Sequence, residues 1–207
     1  SQRRLVLVVT WLLVIVNVAV FFLELTGGDA FIQMWSFIPA RFNQDPFGNF
    51  ITIFTSMFMH GGFVHIIGNM LFLNAFAPNL EDIMGHFKFL LFYVLCGLVS
   101  AIVYIIPNFS SPSPLVGASG AIAGVMGAHF RALPKTRISC LLIIFRITLP
   151  ALIILFPWIL LQFYNQFNYA QSNVAFLAHI GGFIFGFLFV RKFQPRKPKS
   201  YGYVENQ

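Results

Sequence analysis

Long apolar runs separated by short polar connections make up most of this chain. Six of these runs have 15 to 24 residues, close to the ~20 apolar residues that a helix needs to cross a bilayer. We therefore predict six membrane-spanning helices, at residues 5–25, 62–80, 87–106, 119–133, 138–161 and 174–193. No small-residue cleavage site follows the first run, which favours a retained span over a removed signal peptide.

One connection is much longer than the others, at about residues 26–60, and it carries many aromatic side chains and few charges. Aromatic residues concentrate at membrane–water interfaces, so we expect this segment to lie in the interface. The pattern predicts an all-α polytopic protein with one core, residues 1–193. A basic tail, residues 194–207, follows and is predicted to be disordered.

Composition agrees with a membrane protein, since 58% of the residues are hydrophobic and 9% are charged, against about a quarter charged in soluble domains. Eleven of the thirteen Lys and Arg residues fall in the termini and the even-numbered connections. The positive-inside rule then predicts cytoplasmic termini. We expect an integral protein of the bacterial plasma (inner) membrane. The net charge of +7 would face anionic lipid, so no nucleic-acid partner is expected. The cysteine spacing predicts no metal, and we expect no cofactor.

Ser119 stands where an uncharged, Pro-rich loop gives way to a helix of small residues. A helix start leaves backbone N–H groups unpaired and carries a partial positive charge. A hydroxyl at this point lies beside donors suited to an oxyanion. A role as an N-cap alone fits the same residue.

Four polar residues on three spans share a depth. At 1.5 Å per residue, Ser119 and His65 would lie roughly 5 Å below the outer surface, His179 about 9 Å and Asn69 about 10 Å. Polar residues inside a membrane usually face the bundle interior or a cavity and are candidates for function.

Small residues recur at helical spacing on spans four and six, so the two helices can approach closely. Such packing would bring His179 towards Ser119 as base and nucleophile, although packing alone would also explain the glycines. His65 and Asn69 would donate to an oxyanion with the backbone N–H groups of Ala118 or Ser119. We expect no third, acidic member, which predicts a dyad. The alternative of an acid folding inwards from the long connection, Asp29 or Asp45, stays open.

Three motifs resemble those of rhomboid intramembrane serine proteases: Gly117-Ala118-Ser119-Gly120 (G-x-S-G), His65 with Asn69 (H-x-x-x-N), and Ala178-His179 with Gly182 and Gly186 (A-H-x-x-G-x-x-x-G). The resemblance implies a six-helix rhomboid core and cleavage of transmembrane helices of substrate proteins near the outer face. It also implies Ser119 as nucleophile, His179 as base, and His65 and Asn69 at the oxyanion hole, beside Gly117 and Ala118. His60 would support this site from the loop above.

The chain departs from the family pattern at two places. Many members carry an aromatic residue four positions after the serine, packed on the catalytic histidine, whereas this chain has Ala123. The adjacent Trp-Arg pair of many members is also missing, because Trp35 and Arg41 are separate.

Two other functions compete with proteolysis. A non-catalytic rhomboid-like protein that binds membrane clients would have lost the serine or the histidine, and a small transporter would place polar groups at the midplane. Arg146, inside span five, is the one deep polar residue, and we interpret it as snorkelling to the cytoplasmic surface.

Overall fold

The computed structural model describes residues 7–142, 145–168 and 174–194 of the 207-residue chain. Six helices of fourteen or more residues form the bundle: α1 Val8–Trp35, α5 Phe63–Met84, α6 His86–Ile105, α7 Ser119–Ala132, α8 Ala151–Asn168 and α9 Val174–Phe193. Between α1 and α5 lie the short helices α2 Pro39–Gln44, α3 Pro46–Asn49 and α4 Thr52–Thr55, and the 3₁₀ turn Ser56–Phe58. A second 3₁₀ turn, Ile106–Asn108, follows α6.

Within the described ranges, four helical stretches are long and apolar enough to cross a membrane: Val8–Trp35, Phe63–Met84, His86–Asn108 and Phe176–Phe193. The prediction of a polytopic helical membrane protein is therefore confirmed in its coarse form. The count of six crossings stays a prediction, because α7 has 14 residues and the apolar part of α8 is Ala151–Leu160. The predicted disordered tail lies outside the described residues, apart from Gln194.

Helix α7 lies in the middle of the bundle, against α9, α6 and α5. Residues Gly120–His129 are all buried. At 1.5 Å per residue its 14 residues extend about 21 Å, less than the ~30 Å of a hydrocarbon core. Its burial among other helices means that lipid contact is not what stabilises it.

The glycine faces of α7 and α9 meet backbone to backbone, as their spacing predicted. A Cβ added at Gly182 would overlap the carbonyl oxygen of Gly120, and one added at Gly186 would overlap that of Gly124. Close helix approach of this kind needs residues without side chains. The second turn of α9, which carries His179, is thereby placed beside the first turn of α7.

The prediction of a helical span at residues 138–161 is wrong in its first half, and the fold is mostly rather than all α. Two strands, β1 Arg137–Leu142 and β2 Phe145–Pro150, pair antiparallel, with Ile138 opposite Leu149. The helix begins only at Ala151, because Pro150 disfavours helical geometry in the residue before it. β-branched residues such as Ile147 and Thr148 favour the extended form. Arg146 lies in β2 and not in the predicted helix, so the placement on which the snorkelling interpretation was based is wrong.

The long connection between α1 and α5 is tied to the loop that precedes Ser119. Phe37 and Leu115 exchange backbone hydrogen bonds of 3.3 and 2.8 Å, and the N–H of Gly117 donates to the carbonyl of Ser56 at 2.9 Å. Arg41 donates to the carbonyl of Ser36 just after α1. These bonds fix the entry to α7 against a folded segment.

Candidate active site

The hydroxyl of Ser119 and the imidazole of His179 form a hydrogen bond, with Oγ and Nε2 2.8 Å apart. Ser119 is the first residue of α7, and Ala118 occupies the N-cap position. The alternative that Ser119 serves only as an N-cap is therefore wrong. The two residues are 60 positions apart in sequence, and the packing of α7 on α9 brings them together.

Two aromatic rings flank His179. Trp158 of α8 lies with its ring centroid 6.0 Å from that of the imidazole, and Phe176 lies 6.2 Å away in an edge-on arrangement. The aromatic support that Ala123 cannot give therefore comes from a neighbouring helix and from the preceding turn of α9. The sequence held no spacing signal for Trp158, since it lies on a separate helix among other apolar residues.

Ser100 of α6 holds the backbone next to His179. Its Oγ donates to the carbonyl of Ala178 at 2.8 Å. A Cβ added at Gly120 would overlap this hydroxyl, so Ser100 fills the space between α7 and α9. Sequence reasoning missed this residue, because a lone serine in an apolar helix resembles a packing residue.

A cavity of about 110 Å³ opens beside the Ser119–His179 pair. Its lining includes His65, Gly117 and Ser100 together with the pair itself. Among the described residues, none of those lining the cavity is acidic. Asp29 and Asp45 are both exposed, and the Asp45 carboxylate accepts from the N–H of Gly48. Neither acid of the long connection folds inwards to this cavity.

The ring of His65 lies against Gly117. A Cβ added at Gly117 would be 2.9 Å from both Cε1 and Nε2 of His65, and its φ of +124° favours glycine. The N–H of Gly61 donates to Nδ1 of His65 at 3.3 Å. Because Nδ1 then accepts, the neutral ring carries its proton on Nε2 and presents a donor.

The other predicted site residues surround this histidine. Asn69 lies one turn further along α5 and is buried; its Nδ2 has no hydrogen-bond partner among the described residues, and it does not line the cavity. Ala118 is fully buried beside Ser119. The N–H of Gly117 is engaged with Ser56, so the contribution of Gly117 is its missing side chain.

His60 lies behind His65, with the two rings edge-on at 5.1 Å. It is only 2% exposed, and within the described part of the chain neither ring nitrogen has a hydrogen-bond partner. Burial, and then the neighbouring His65, lowers the pKa of His60 to about 4. His60 is therefore neutral near pH 7 and acts on the site as a buried, uncharged ring.

Comparison with known proteins decides the family. The Rhomboid domain model matches residues 48–196. The chain belongs to the rhomboid family.

Several relatives carry rhomboid names. The chain is 29% identical over 204 residues to "Putative rhomboid protease YdcA" of Bacillus subtilis (strain 168), covering 93% of this chain and 94% of the relative. It is 32% identical over 181 residues to "Rhomboid protease GluP" of the same organism, covering 86% of this chain and 33% of the relative. "RHOMBOID-like protein 5" of Arabidopsis thaliana is 31% identical over 154 residues, covering 73% of this chain and 46% of the relative.

The likeness therefore extends over nearly all of YdcA but under half of the other two proteins. Together with its apolar helices, family membership establishes this rhomboid as an integral membrane protein.

Proposed function

We propose that this rhomboid is an intramembrane serine endopeptidase, which cleaves transmembrane helices of substrate proteins near the outer face of the membrane. The observation that carries the proposal is the 2.8 Å hydrogen bond between Ser119 Oγ and His179 Nε2. The pair borders a cavity that His65 also lines. The names of YdcA and GluP support the same class of reaction.

In the proposed reaction, His179 takes the proton of Ser119 while Oγ attacks the carbonyl carbon of the scissile peptide bond. The carbonyl oxygen becomes an oxyanion. The C–N bond then breaks as His179 delivers the proton to the leaving amine, which leaves an acyl group on Ser119. His179 then deprotonates a water that attacks the ester carbonyl carbon. The bond between this carbon and Oγ breaks as His179 returns the proton to Ser119, which restores the serine and releases the new carboxyl end.

The oxyanion needs donors that are in place before the reaction. The Nε2–H of His65 lies beside Gly117, next to the entry of α7. The Nδ2 of Asn69, for which the described residues offer no hydrogen-bond partner, is a second donor for this role, and the backbone N–H groups of Ala118 or Ser119 are a third. No step in this scheme needs a metal or an organic cofactor.

Substrate choice follows from the membrane setting. Peptide bonds in a transmembrane helix are hydrogen-bonded internally, and unwinding one turn exposes groups that are costly in lipid. We propose that favoured substrates carry Gly, Pro or other weak helix formers just below the cut. The cavity of about 110 Å³ suits a small side chain before the cut.

We also propose an orientation of the protein in the membrane. By the predicted spans, eleven of thirteen Lys and Arg residues lie in the termini and even-numbered connections. Arg146, which lies in β2 between α7 and α8, adds a twelfth, and this distribution supports cytoplasmic termini in a bacterial plasma membrane. Ser119 would then open towards the outer side.

A serine-directed phosphonate probe tests the proposal. We expect it to label Ser119 in the purified protein in detergent and to fail on Ser119→Ala and His179→Ala. Ser56→Ala is the matched control, since it removes another hydroxyl from the cavity lining, one that donates to the carbonyl of Ile53 and not to the backbone beside His179, and it should keep labelling. Equal labelling of wild type and Ser119→Ala would refute the proposal. An unlabelled wild type that cleaves no model transmembrane substrate would point to the non-catalytic, client-binding function instead.

A further inference from the structure

One buried carboxylate of α1 has no part in the mechanism above. Glu24 is 5% exposed and lies within a helix long enough to cross the membrane. Burying an ionisable group in such a helix is costly, and residues of this kind usually serve function. The structure gives this carboxylate a specific partner.

Both carboxylate oxygens of Glu24 accept from the backbone N–H of His60, at 3.0 and 3.1 Å. The two residues are 36 positions apart, so the bond ties α1 to the turn that leads into α5. A carboxyl oxygen can accept from this N–H whether or not the group is ionised. The first residue of this turn is therefore held by a direct contact from α1.

The His60–Gly61 turn also contacts His65, one of the proposed oxyanion donors. Gly61, directly after His60, donates its N–H to Nδ1 of His65. The ring of His60 packs edge-on against that of His65. Two contacts from adjacent residues therefore fix the protonation form and the orientation of the His65 ring.

We propose that Glu24 is a positioning residue for the oxyanion hole: by anchoring the His60–Gly61 turn, it keeps His65 in the form that presents Nε2–H beside Gly117. This inference rests on the proposed function and deepens it, because it explains how one donor of that site is held ready. Glu24 acts through the turn and does not contact the reacting atoms.

The structure offers a matched control in Glu81. Its carboxylate is also buried and also ties α1 to α5, accepting from the N–H groups of Val9 and Thr10 at 2.8 Å. It contacts the first turn of α1, fourteen residues before Glu24, and does not line the cavity. Loss of a buried carboxylate should therefore lower the stability of variants at both positions. Loss of positioning should lower kcat only in the Glu24 variants.

The experiment compares Glu24→Ala, Glu24→Gln and Glu81→Gln in the purified full chain in detergent, with a single-span model substrate. We expect Glu24→Ala to lower kcat ten- to a hundred-fold with KM changed less than threefold. Glu24→Gln should recover to within about fivefold of wild type, since its amide oxygen still accepts from His60. Glu81→Gln should lower the melting temperature and leave kcat within twofold, measured well below that temperature.

A second readout separates positioning from general stability. With ¹⁵N-labelled histidine, the His65 signals (assigned with His65→Ala) should show a protonated Nε2 in wild type and a mixture of tautomers in Glu24→Ala. In a His65→Ala background, Glu24→Ala should lower kcat by less than a further threefold, because Glu24 acts through His65. If Glu24→Ala does not fold, Glu24→Asp, whose shorter carboxylate is drawn back from His60, takes its place with the same expectations.

The inference is overturned if Glu24→Ala keeps the wild-type tautomer and kcat, or if its effect on kcat equals that of Glu81→Gln. It is also overturned if the losses from Glu24 and His65 simply multiply. A wild-type protein that neither cleaves nor reacts with the phosphonate would instead refute the proposed function. The histidine spectra would still report in that case whether Glu24 positions His65.

Discussion

Gly186→Ala tests whether the close approach of α7 and α9 is what creates the Ser119–His179 contact. The added Cβ would lie 2.8 Å from the Cα of Gly124, whereas carbon atoms in contact are about 3.5–4.0 Å apart. The carbonyl oxygen of Gly124 lies nearer still. The two helices must therefore separate by at least about 1 Å at this point, because the obstacle is backbone and cannot rotate away.

The separation reaches the site because Gly186 lies two helical turns from His179 on one rigid helix. If the 2.8 Å bond between Ser119 and His179 lengthens by much of that 1 Å, it is no longer a hydrogen bond. A displacement of 1 Å can cost about a hundred-fold in rate. Overpacking of this kind also costs roughly 1–3 kcal/mol of stability.

The assay is the rate of phosphonate labelling together with kcat/KM on a model transmembrane substrate, well below the melting temperature. Gly68→Ala is the matched control, since a Cβ there meets nothing within 4 Å, and it should keep activity. We expect Gly186→Ala to lose about a hundred-fold in both rates while still folding. Full activity in a folded Gly186→Ala protein would refute the idea that glycine contact sets the dyad geometry.

Three further outcomes are expected. Ser119→Ala and His179→Ala should each abolish cleavage, and the double variant should be no worse, because the two act as one unit; additive losses would contradict the dyad. Trp158→Ala should lower kcat about two- to tenfold, the range of one aromatic contact of 0.5–1.5 kcal/mol, and Trp158→Phe should recover most of it; unchanged kcat in Trp158→Ala would remove its supporting role. The folded pKa of His60, about 4, lies below the unfolded value of about 6.5, so the folded state binds fewer protons between these values. Unfolding free energy should therefore fall as the pH drops from about 6.5 to 4, by roughly 3 kcal/mol in total; a melting curve series for His60→Phe that keeps the same pH slope would contradict this.

The sequence determined which residues could form the site, because polar and glycine residues stand out in an apolar chain. Ser119, His179 and His65 were placed at similar depth from helix rise alone, and the structure brings them to one cavity. The spacing of the glycines in α9 predicted the surface that packs on α7, since only residues without side chains permit backbone contact. For these residues, local pattern and tertiary packing give the same answer.

Contacts between particular apolar or acidic residues and their partners were decided only by the tertiary structure. Hydropathy does not distinguish an apolar strand from an apolar helix over short runs. Residues 138–142 and 145–150 were therefore predicted as helix but lie in two paired strands. Trp158 supports His179, and Glu24 anchors His60, across 21 and 36 positions respectively. Such contacts leave no periodic trace in the sequence. They arise only when separate helices fix their relative rotation and height, which is set by packing across the whole bundle.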